Sequence, residues 1–272
     1  VIVSSGAIAL GRNILSKKKL TNLHEKQAAA SIGQIQLSQQ WQKAFAKLNI
    51  QSSQILITAE DLNERRKYLN IRNTIYSLMD LNVVPIINEN DTTSTEEIRF
   101  GDNDKLSAMI ANALSAELLI LLSDVNGLYT ANPKKSLQAK LITSVEEVDQ
   151  QIEKYIDKDL SEFGSGGMLA KINAAKLCIQ SGSTMIISNG LVNNPLSKID
   201  PQSSTWFHPS NNTLTSRQQW IWKRPIQKAI VHIDEGASKA LKKNSSLLAI
   251  GVKSIDGKFY RGDTCLLYTS DA

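Results

Sequence analysis

Two clusters of polar side chains on either side of one loop are the part of the sequence best suited to chemistry. Residues 88–91 (NEND) follow a β-branched run typical of a buried parallel strand, and residues 101–104 (GDND) precede a helical pattern. Ligands of open α/β sheets gather at the carboxyl ends of strands, so residues 85–105 are a predicted substrate site. We expect Asp102 or Asn103 to cap the helix and leave N–H groups for an anion. Alternatively, these residues only form turns and caps.

A glycine cluster further along the chain suggests a site for phosphate. Gly164, Gly166 and Gly167 open a predicted helix, and Lys171 lies one turn inside it. Glycines let the backbone approach phosphate oxygens, the helix N-terminus supplies N–H donors, and the lysine adds a positive charge. The spacing matches neither the Walker pattern nor the dinucleotide-binding pattern, so on spacing alone a packing role is equally open.

The turn after the first strand is a third candidate. Residues 1–3 are an apolar run, and Ser4, Ser5 and Gly6 follow it before a helical pattern begins. Such a turn can bring N–H groups and a hydroxyl against a ligand, or it can serve tight packing alone. Because the chain opens in what reads as the middle of a strand, we expect further sequence upstream of residue 1.

Alternating strands and helices must position these candidates. The sequence predicts strands at 55–58, 83–87, 118–122 and 185–188, and helices at 25–48, 62–81, 105–116 and from 167 onward. This α/β alternation favours a three-layer α/β/α sandwich built on a mainly parallel sheet. Residues 193–216 are rich in Ser, Asn and Pro, and we expect them to be loop and linker.

The pattern changes after that linker. Short strands predicted at 230–233, 247–250 and 258–260 indicate a small β-rich domain. We therefore expect a main domain at 1–200, a linker at 201–222 and a partial second domain at 223–272. Basic residues outnumber acidic ones from 217 to 262, as in a nucleic-acid surface, although an ordinary basic surface has the same composition.

Composition limits the class of protein. The 272 residues are 42% apolar with a net charge of +5, which is enough for a full core and more than one domain. No apolar run reaches about 18 residues and no secretory signal opens the chain, so we expect a cytoplasmic protein that does not span a membrane. Cys178 and Cys265 match no metal or disulfide spacing, and we expect both to be buried thiols.

Five segments together resemble one family of enzymes. They read SSGAIALGR at 4–12, PIINENDT at 85–92, FGDNDKLSA at 100–108, LLSDVNGLYTANP at 121–133 and GSGGMLAK at 164–171. In order and spacing they resemble glutamate 5-kinase, a family of the amino acid kinase superfamily, whose fold is a parallel sheet sandwiched by helices. The run that begins HIDEGASKALKK at His232 resembles the start of a PUA domain, which often follows the kinase domain in bacteria.

The resemblance implies an activity and a set of site residues. The family transfers the γ-phosphoryl group of ATP to the side-chain carboxylate of L-glutamate, giving glutamyl 5-phosphate for proline synthesis. By position in the motifs, Ser5, Asp91 and Asn103 are expected to hold glutamate. Asp91 would accept from its ammonium group, and Asn103 would donate to a carboxylate. The residues expected at the nucleotide are Ser123, Asp124, Ser165, Gly166, Gly167, Met168, Leu169, Ala170 and Lys171, with Lys171 as the catalytic residue that balances phosphoryl charge.

Other properties follow from the same resemblance. They are the use of Mg²⁺ with ATP, assembly into a dimer or tetramer, and weak RNA contact through the PUA-like domain. Leu169 and Ala170 stand where the family commonly has hydroxyl residues in GGMSTK, which removes nucleotide contacts. The family's first strand, with a lysine and a Gly-rich turn, has no counterpart here, and the last segment, CLLYTSDA, is expected not to match the PUA pattern.

Two other functions stay open at this point. Another carboxylate kinase of the same superfamily is the nearer alternative, because Asp91 and Asn103 do not fix the length of the substrate. A non-catalytic RNA-binding or regulatory protein is the other, acting through the basic C-terminal region and binding RNA with a steep salt dependence.

Overall fold

The computed structural model describes residues 1–16, 19–94, 102–133, 136–150, 152, 155, 167–209, 230–243, 245–258 and 265–269. The chain divides into two compact units, Val1–Ser216 and Arg217–Ala272. All of the candidate residues that the structure describes lie in the larger unit, so the site can be discussed within one compact body.

The larger unit alternates strands and helices along the chain. Its strands are β1 Ile2–Val3, β2 Gln51–Ile57, β3 Val83–Glu89, β4 Leu118–Ser123, β5 Leu128–Tyr129, β6 Leu141–Ile142, β7 Ser144–Val145, β8 Thr184–Asn189 and β9 Thr205–Phe207. Its helices are α1 Ala7–Ile14, α2 Leu23–Ala46, α3 Ala59–Asn63, α4 Arg65–Asp80, α5 Asp102–Ala113 and α6 Gly167–Ser181, with a 3-10 helix at Pro195–Lys198.

The first sheet is parallel, with the order β1-β3-β2. Its central strand β3 has four consecutive buried residues, 85–88, which requires apolar cover on both faces. The helices α4 and α5 both pack against β3. Val3 of β1 lies beside Ile87 of β3, so the turn after β1 and the polar residues after β3 leave the sheet at the same edge.

The second sheet has the order β4-β8-β9-β7. The pairs β4–β8 and β7–β9 are parallel, and β8–β9 is antiparallel. Helix α5 packs against β3 of the first sheet and β4 of the second, and also against α6. The predicted α/β fold with mainly parallel pairing is confirmed. Helix α5 packs against both of these sheets, and β5 and β6 form a separate antiparallel pair.

Strand β9 lies in the segment predicted as linker, so that prediction is wrong for Thr205–Phe207. Thr205 and Phe207 are completely buried, and Phe207 pairs with Met185 of β8. A three-residue strand inside a polar segment has too short an apolar run to be recognised by periodicity. The strand at 185–188 is therefore not the last one of the main unit, while the proposed domain limits stay a prediction.

Two glycines bring helices α1 and α2 into backbone contact. A Cβ built on Gly33 of α2 would lie 1.9 Å from the carbonyl oxygen of Ala7 and 2.5 Å from the nitrogen of Gly11. A Cβ on Gly11 would lie 1.7 Å from the carbonyl oxygen of Ala29. Only residues without a Cβ permit this approach, which fixes α1 directly behind the turn that follows β1.

The helix predicted at 62–81 is two helices, α3 and α4, which separate at Glu64. Helix α3 begins with a capping box in which the Thr58 hydroxyl accepts from the Asp61 N–H at 3.2 Å. The Asp61 carboxylate in turn accepts from the Thr58 N–H at 2.8 Å and from the Lys67 ammonium at 3.0 Å. These bonds satisfy donors that a helix start leaves unpaired.

The charge on Asp61 should make stability depend on pH. Burial raises the pKa of Asp61, but the bonds from Thr58 and Lys67 outweigh it and hold the pKa below its usual 3.8. Its contribution is therefore complete above about pH 4 and is lost as the pH falls through the lower folded value. We expect Asp61→Asn to cost about 1 kcal/mol in urea unfolding at neutral pH, and the difference from the parent to shrink below about pH 4.

Glu64→Gln is the matched control for that measurement. Glu64 also contacts Lys67, at 3.2 Å, but both side chains are 53% exposed, so we expect a change of less than about 0.5 kcal/mol. A difference between Asp61→Asn and the parent that stayed constant down to pH 3 would contradict the assignment.

The smaller unit contains β10 Ile230–Ile233, α7 Glu235–Lys242, a 3-10 helix at Ala249–Gly251, β11 Val252–Asp256 and β12 Leu266–Thr269, in the sheet order β11-β10-β12. Helix α7 was not predicted; Asp234 caps it by accepting from the Ala237 N–H at 2.7 Å. The strand predicted at 247–250 is wrong, because the strand follows the 3-10 helix. Of the strand predicted at 258–260, residues 259–260 lie outside the described residues.

No described helix of either unit is long and apolar enough to cross a membrane.

Candidate active site

The start of α5 is hydrogen-bonded to the ends of two strands of the first sheet. The Asn103 Nδ2 amide group donates to the backbone carbonyl of Ser4, after β1, and to Oδ1 of Asn88 in β3, both at 3.0 Å. We expected Asp102 or Asn103 to cap the helix. Asn103 lies inside α5 and uses its side chain in these two bonds, so it is not the cap, and the side chain of Asp102 lies outside what the structure describes. The two polar clusters of the sequence therefore meet here, through the bond between Asn103 and Asn88.

The orientation of the Asn88 amide is determined by its other partners. Its Nδ2 donates to Oε1 of Gln34 on α2 at 2.7 Å, and its Oδ1 accepts from the Glu89 N–H at 2.9 Å. Asn88 is only 3% exposed, so water does not compete for these bonds. The Asn88 oxygen must therefore face Asn103.

This arrangement reverses the role expected for Asn103. Both acceptors around its Nδ2 are oxygens, Ser4 O and Asn88 Oδ1, and an amide has only two hydrogens to give. No amide hydrogen is left for a carboxylate. The Asn103 Oδ1 atom is buried and has no donor among the residues that the structure describes, so the group that Asn103 offers is an acceptor.

The turn that carries Ser5 is held from two sides. The Ser4 N–H donates to the Ile87 carbonyl at 2.8 Å, and the Ser4 hydroxyl accepts from the Trp41 indole N–H of α2 at 2.8 Å. Gly6 follows with a φ of 106°, which disfavours any residue with a Cβ. Ser5 itself is exposed in this turn. Asp91 lies partly buried in the turn after β3, so the three residues predicted to hold glutamate share one sheet edge.

A cleft of about 210 Å³ brings together most of the residues predicted at the nucleotide. It is lined by Ser123, Asp124, Val125, Gly127, Leu128, Tyr129, Ala131, Asn132, Pro133, Tyr155, Gly167, Met168 and Lys171. Leu169 and Ala170 lie in α6 but do not line the cleft, and Ser165 and Gly166 lie outside the described residues. Aromatic and apolar side chains beside a lysine and a helix start suit a base and its phosphates.

Thr205 of β9 contacts the loop that lines this cleft, and we did not identify it from the sequence. Its hydroxyl accepts from the Leu128 N–H at 2.8 Å and donates to the Ile142 carbonyl at 2.6 Å. A Cβ on Gly127 would lie 2.2 Å from the same oxygen. The fully buried hydroxyl thus fixes the loop after β4, and no local pattern in the segment indicates it.

One ion pair connects the cleft to the first sheet. The Lys171 ammonium lies 2.8 Å from Asp104 Oδ2, and both side chains are less than a fifth exposed. Asp104 is the residue after Asn103, so adjacent residues of α5 reach the cleft and the edge of the first sheet. Asp104 and Lys171 lie 67 residues apart in the chain, so sequence spacing does not reveal that they pair.

The sequence matches known families in both units. The profile described as the Amino acid kinase family matches residues 1–189, and that of the PUA domain matches residues 229–272. The second match includes the final segment that was expected not to fit, so that expectation is wrong; β12, within this segment, pairs with β10. Together with the parallel sheets and the cleft, these matches define the class of the protein as an amino acid kinase followed by a PUA domain.

Similar proteins of known name show which family of this class the chain belongs to. A glutamate 5-kinase of Pelagibacter ubique (strain HTCC1062) is 49% identical over 97% of this chain and 72% of its own length. Those of Rhodopseudomonas palustris (strain BisB5) and Allorhizobium ampelinum are each 46% identical, over 100% and 97% of this chain and 73% and 68% of their own lengths. The chain belongs to the glutamate 5-kinase family.

Proposed function

We propose that the protein transfers the γ-phosphoryl group of ATP to the side-chain carboxylate of L-glutamate, giving glutamyl 5-phosphate, the first step of proline biosynthesis. One structural observation supports the proposal in addition to family membership. Adjacent residues of α5 reach two subsites, since Asn103 bonds the ends of β1 and β3 while Asp104 pairs with Lys171 in the cleft. A phosphoryl donor bound in the cleft and a phosphoryl acceptor bound at the sheet edge would meet at the start of α5.

The cleft is the proposed site for MgATP. Its apolar and aromatic lining would hold the base, and Ser123 and Asp124 would lie at the nucleotide. The phosphates would face the N-terminus of α6 and the Lys171 ammonium, which supply N–H donors and a positive charge. Mg²⁺ would enter with ATP, held mainly by phosphate oxygens and water, as is usual for this ion. We assign no protein ligand to it.

The edge of the first sheet is the proposed site for glutamate. The Ser5 hydroxyl would donate to a carboxylate of the substrate. Asp91 and the Oδ1 atom of Asn103 would accept from its ammonium group, which supplies the donor that this buried oxygen lacks. This assignment replaces the donor role expected for Asn103.

Phosphoryl transfer to a carboxylate needs no general base. The side chain of free glutamate has a pKa of about 4.3 and is ionised at neutral pH. A carboxylate oxygen attacks the γ-phosphorus, the bond from that phosphorus to the bridging oxygen breaks, and ADP leaves with the electron pair. The protein therefore contributes alignment and charge stabilisation. Lys171, held in place by Asp104, is proposed to balance the charge on the transferring group.

The test is glutamate-dependent formation of ADP, with Asp91→Asn as the diagnostic variant. Loss of a charged acceptor for the ammonium group should raise the KM for glutamate about tenfold or more and leave the KM for ATP within about twofold. The comparison is a substrate series in which aspartate, 2-aminoadipate and N-acetylglutamate replace glutamate.

Asp80→Asn is the matched control, because Asp80 is exposed at the end of α4. It should leave both KM values unchanged. Phosphorylation of another carboxylate in preference to glutamate would overturn the proposed substrate, and an equal effect of Asp91→Asn on both KM values would overturn the proposed role of Asp91.

The alternatives are less well supported. Every relative described above carries the name glutamate 5-kinase, which disfavours another carboxylate kinase and a non-catalytic protein. A dimer or tetramer, weak RNA contact through the smaller unit and a cytoplasmic location stay predictions. The RNA contact would involve basic residues such as Lys239, Lys242 and Lys243 of the smaller unit.

A further inference from the structure

A glutamine on α2 lies behind the proposed glutamate site. Gln34 belongs to none of the five segments that resemble the family, and the proposed mechanism does not use it. Its Oε1 nevertheless accepts from the buried Asn88 Nδ2 at 2.7 Å, the shortest bond of the amide network around β3 and α5. Gln34 is itself partly buried.

This bond and the bond from the Glu89 N–H to the Asn88 Oδ1 atom together fix the direction of the Asn88 amide. With the Asn88 Nδ2 group turned toward Gln34, the Asn88 Oδ1 atom must face the Glu89 N–H and the Asn103 amide hydrogens. If Asn88 were reversed, its own N–H groups would face those donors, leaving buried donors unpaired. Within the described part of the chain, the present direction leaves one acceptor of the network without a donor, the Asn103 Oδ1 atom.

We propose that Gln34 is a positioning residue that holds Asn103 as an acceptor, and so makes the site select substrates that carry an ammonium group. The inference rests on the proposed function for the identity of the substrate. An ammonium group provides the donor that the buried oxygen lacks. A dicarboxylate without it leaves this oxygen unpaired, and sites built to pair with a polar group reject analogues that lack the group.

The test compares glutamate with glutarate, which lacks the amino group, by calorimetric titration of the whole chain. The parent should bind glutamate at least about tenfold more tightly than glutarate, as for a charge-assisted hydrogen bond. Gln34→Met removes the acceptor for Asn88 at nearly constant volume and should weaken glutamate binding about tenfold while glutarate binding stays unchanged. Gln34→Glu keeps an acceptor at this position and should retain most of the preference.

Gln36→Met is the matched control, since Gln36 is exposed on the same helix, and it should change neither dissociation constant. The midpoint of thermal unfolding is recorded for each variant, so that a general loss of folding is separated from a loss of selectivity. The inference is overturned if Gln34→Met keeps the parent's preference, if both Gln34 variants lose it equally, or if the parent does not prefer glutamate. Glutamate-dependent ADP formation is measured separately; its absence beside selective binding would count against the proposed function and not against Gln34.

Discussion

Replacing Lys171 by methionine is expected to lower the rate of glutamate-dependent ADP formation by about 10²–10³-fold, as for loss of one preorganised stabilising group. The lysine lines the nucleotide cleft, and its ammonium is the positive charge that we place at the transferring phosphoryl group. The change also leaves the Asp104 carboxylate unpaired and mostly buried, which adds repulsion toward the phosphates. The measurements are kcat and KM for both substrates.

Two further variants separate the effect of the Lys171 charge from the effect of its position. Lys171→Arg keeps the charge but changes the shape of the cation, and should recover part of kcat. Asp104→Asn keeps the lysine but removes its 2.8 Å partner, and should lower kcat less than Lys171→Met does. A kcat for Lys171→Met within a few-fold of the parent would remove Lys171 from the proposed mechanism.

A large loss of stability is expected from Gly33→Ala. In an open helix this substitution would stabilise by up to about 1 kcal/mol, because alanine has the higher helix propensity. Here the added methyl would lie 1.9 Å from the Ala7 carbonyl oxygen, and its neighbours are backbone atoms that cannot turn aside. Helices α1 and α2 must separate, at a cost of about 3 kcal/mol or more in the free energy of unfolding. Urea unfolding at neutral pH measures it.

Gly236→Ala makes the same chemical change at a position with more space around the added methyl group. The nearest atom to its added Cβ is Asp234 Oδ1 at 3.3 Å, on a side chain that can shift, so the effect should stay below about 1 kcal/mol. If Gly33→Ala were as stable as the parent, the close contact of α1 with α2 would be incorrect.

Strand ends and continuous apolar runs made much of the larger unit predictable. Strand β3 and helix α5 are recognisable because each buries several residues, and β4 because Leu118–Leu122 is an uninterrupted apolar run. The polar residues that follow β3 mark its carboxyl end. Strand β2 begins at Gln51, four residues before the predicted start, since its first residues are polar and are held by backbone pairing with β3. Pairing of this kind leaves no hydrophobic signal.

The places of the candidate residues could be predicted better than the hydrogen bonds that each one makes. Motif positions brought Ser123, Asp124 and Lys171 to one cleft, but the direction of the Asn103 amide depends on Asn88 and, through it, on Gln34. Hydrogen-bond direction is a property of the assembled network, and residue type alone does not carry it. Residue type alone likewise does not reveal the role of Asp104, because that role follows from its ion pair with Lys171 on α6.

Strand β9 also bears on when the protein can finish folding. Phe207 pairs with Met185 on one side and with Val145 on the other, so the strand enters the sheet between two strands that precede it in the chain. During synthesis the second sheet has a gap until Thr205–Phe207 leaves the ribosome, and the nascent chain must keep the edges of β7 and β8 unpaired until then. Exposed strand edges favour association with other chains, so the nascent protein is more open to such association during this interval than after β9 has joined the sheet.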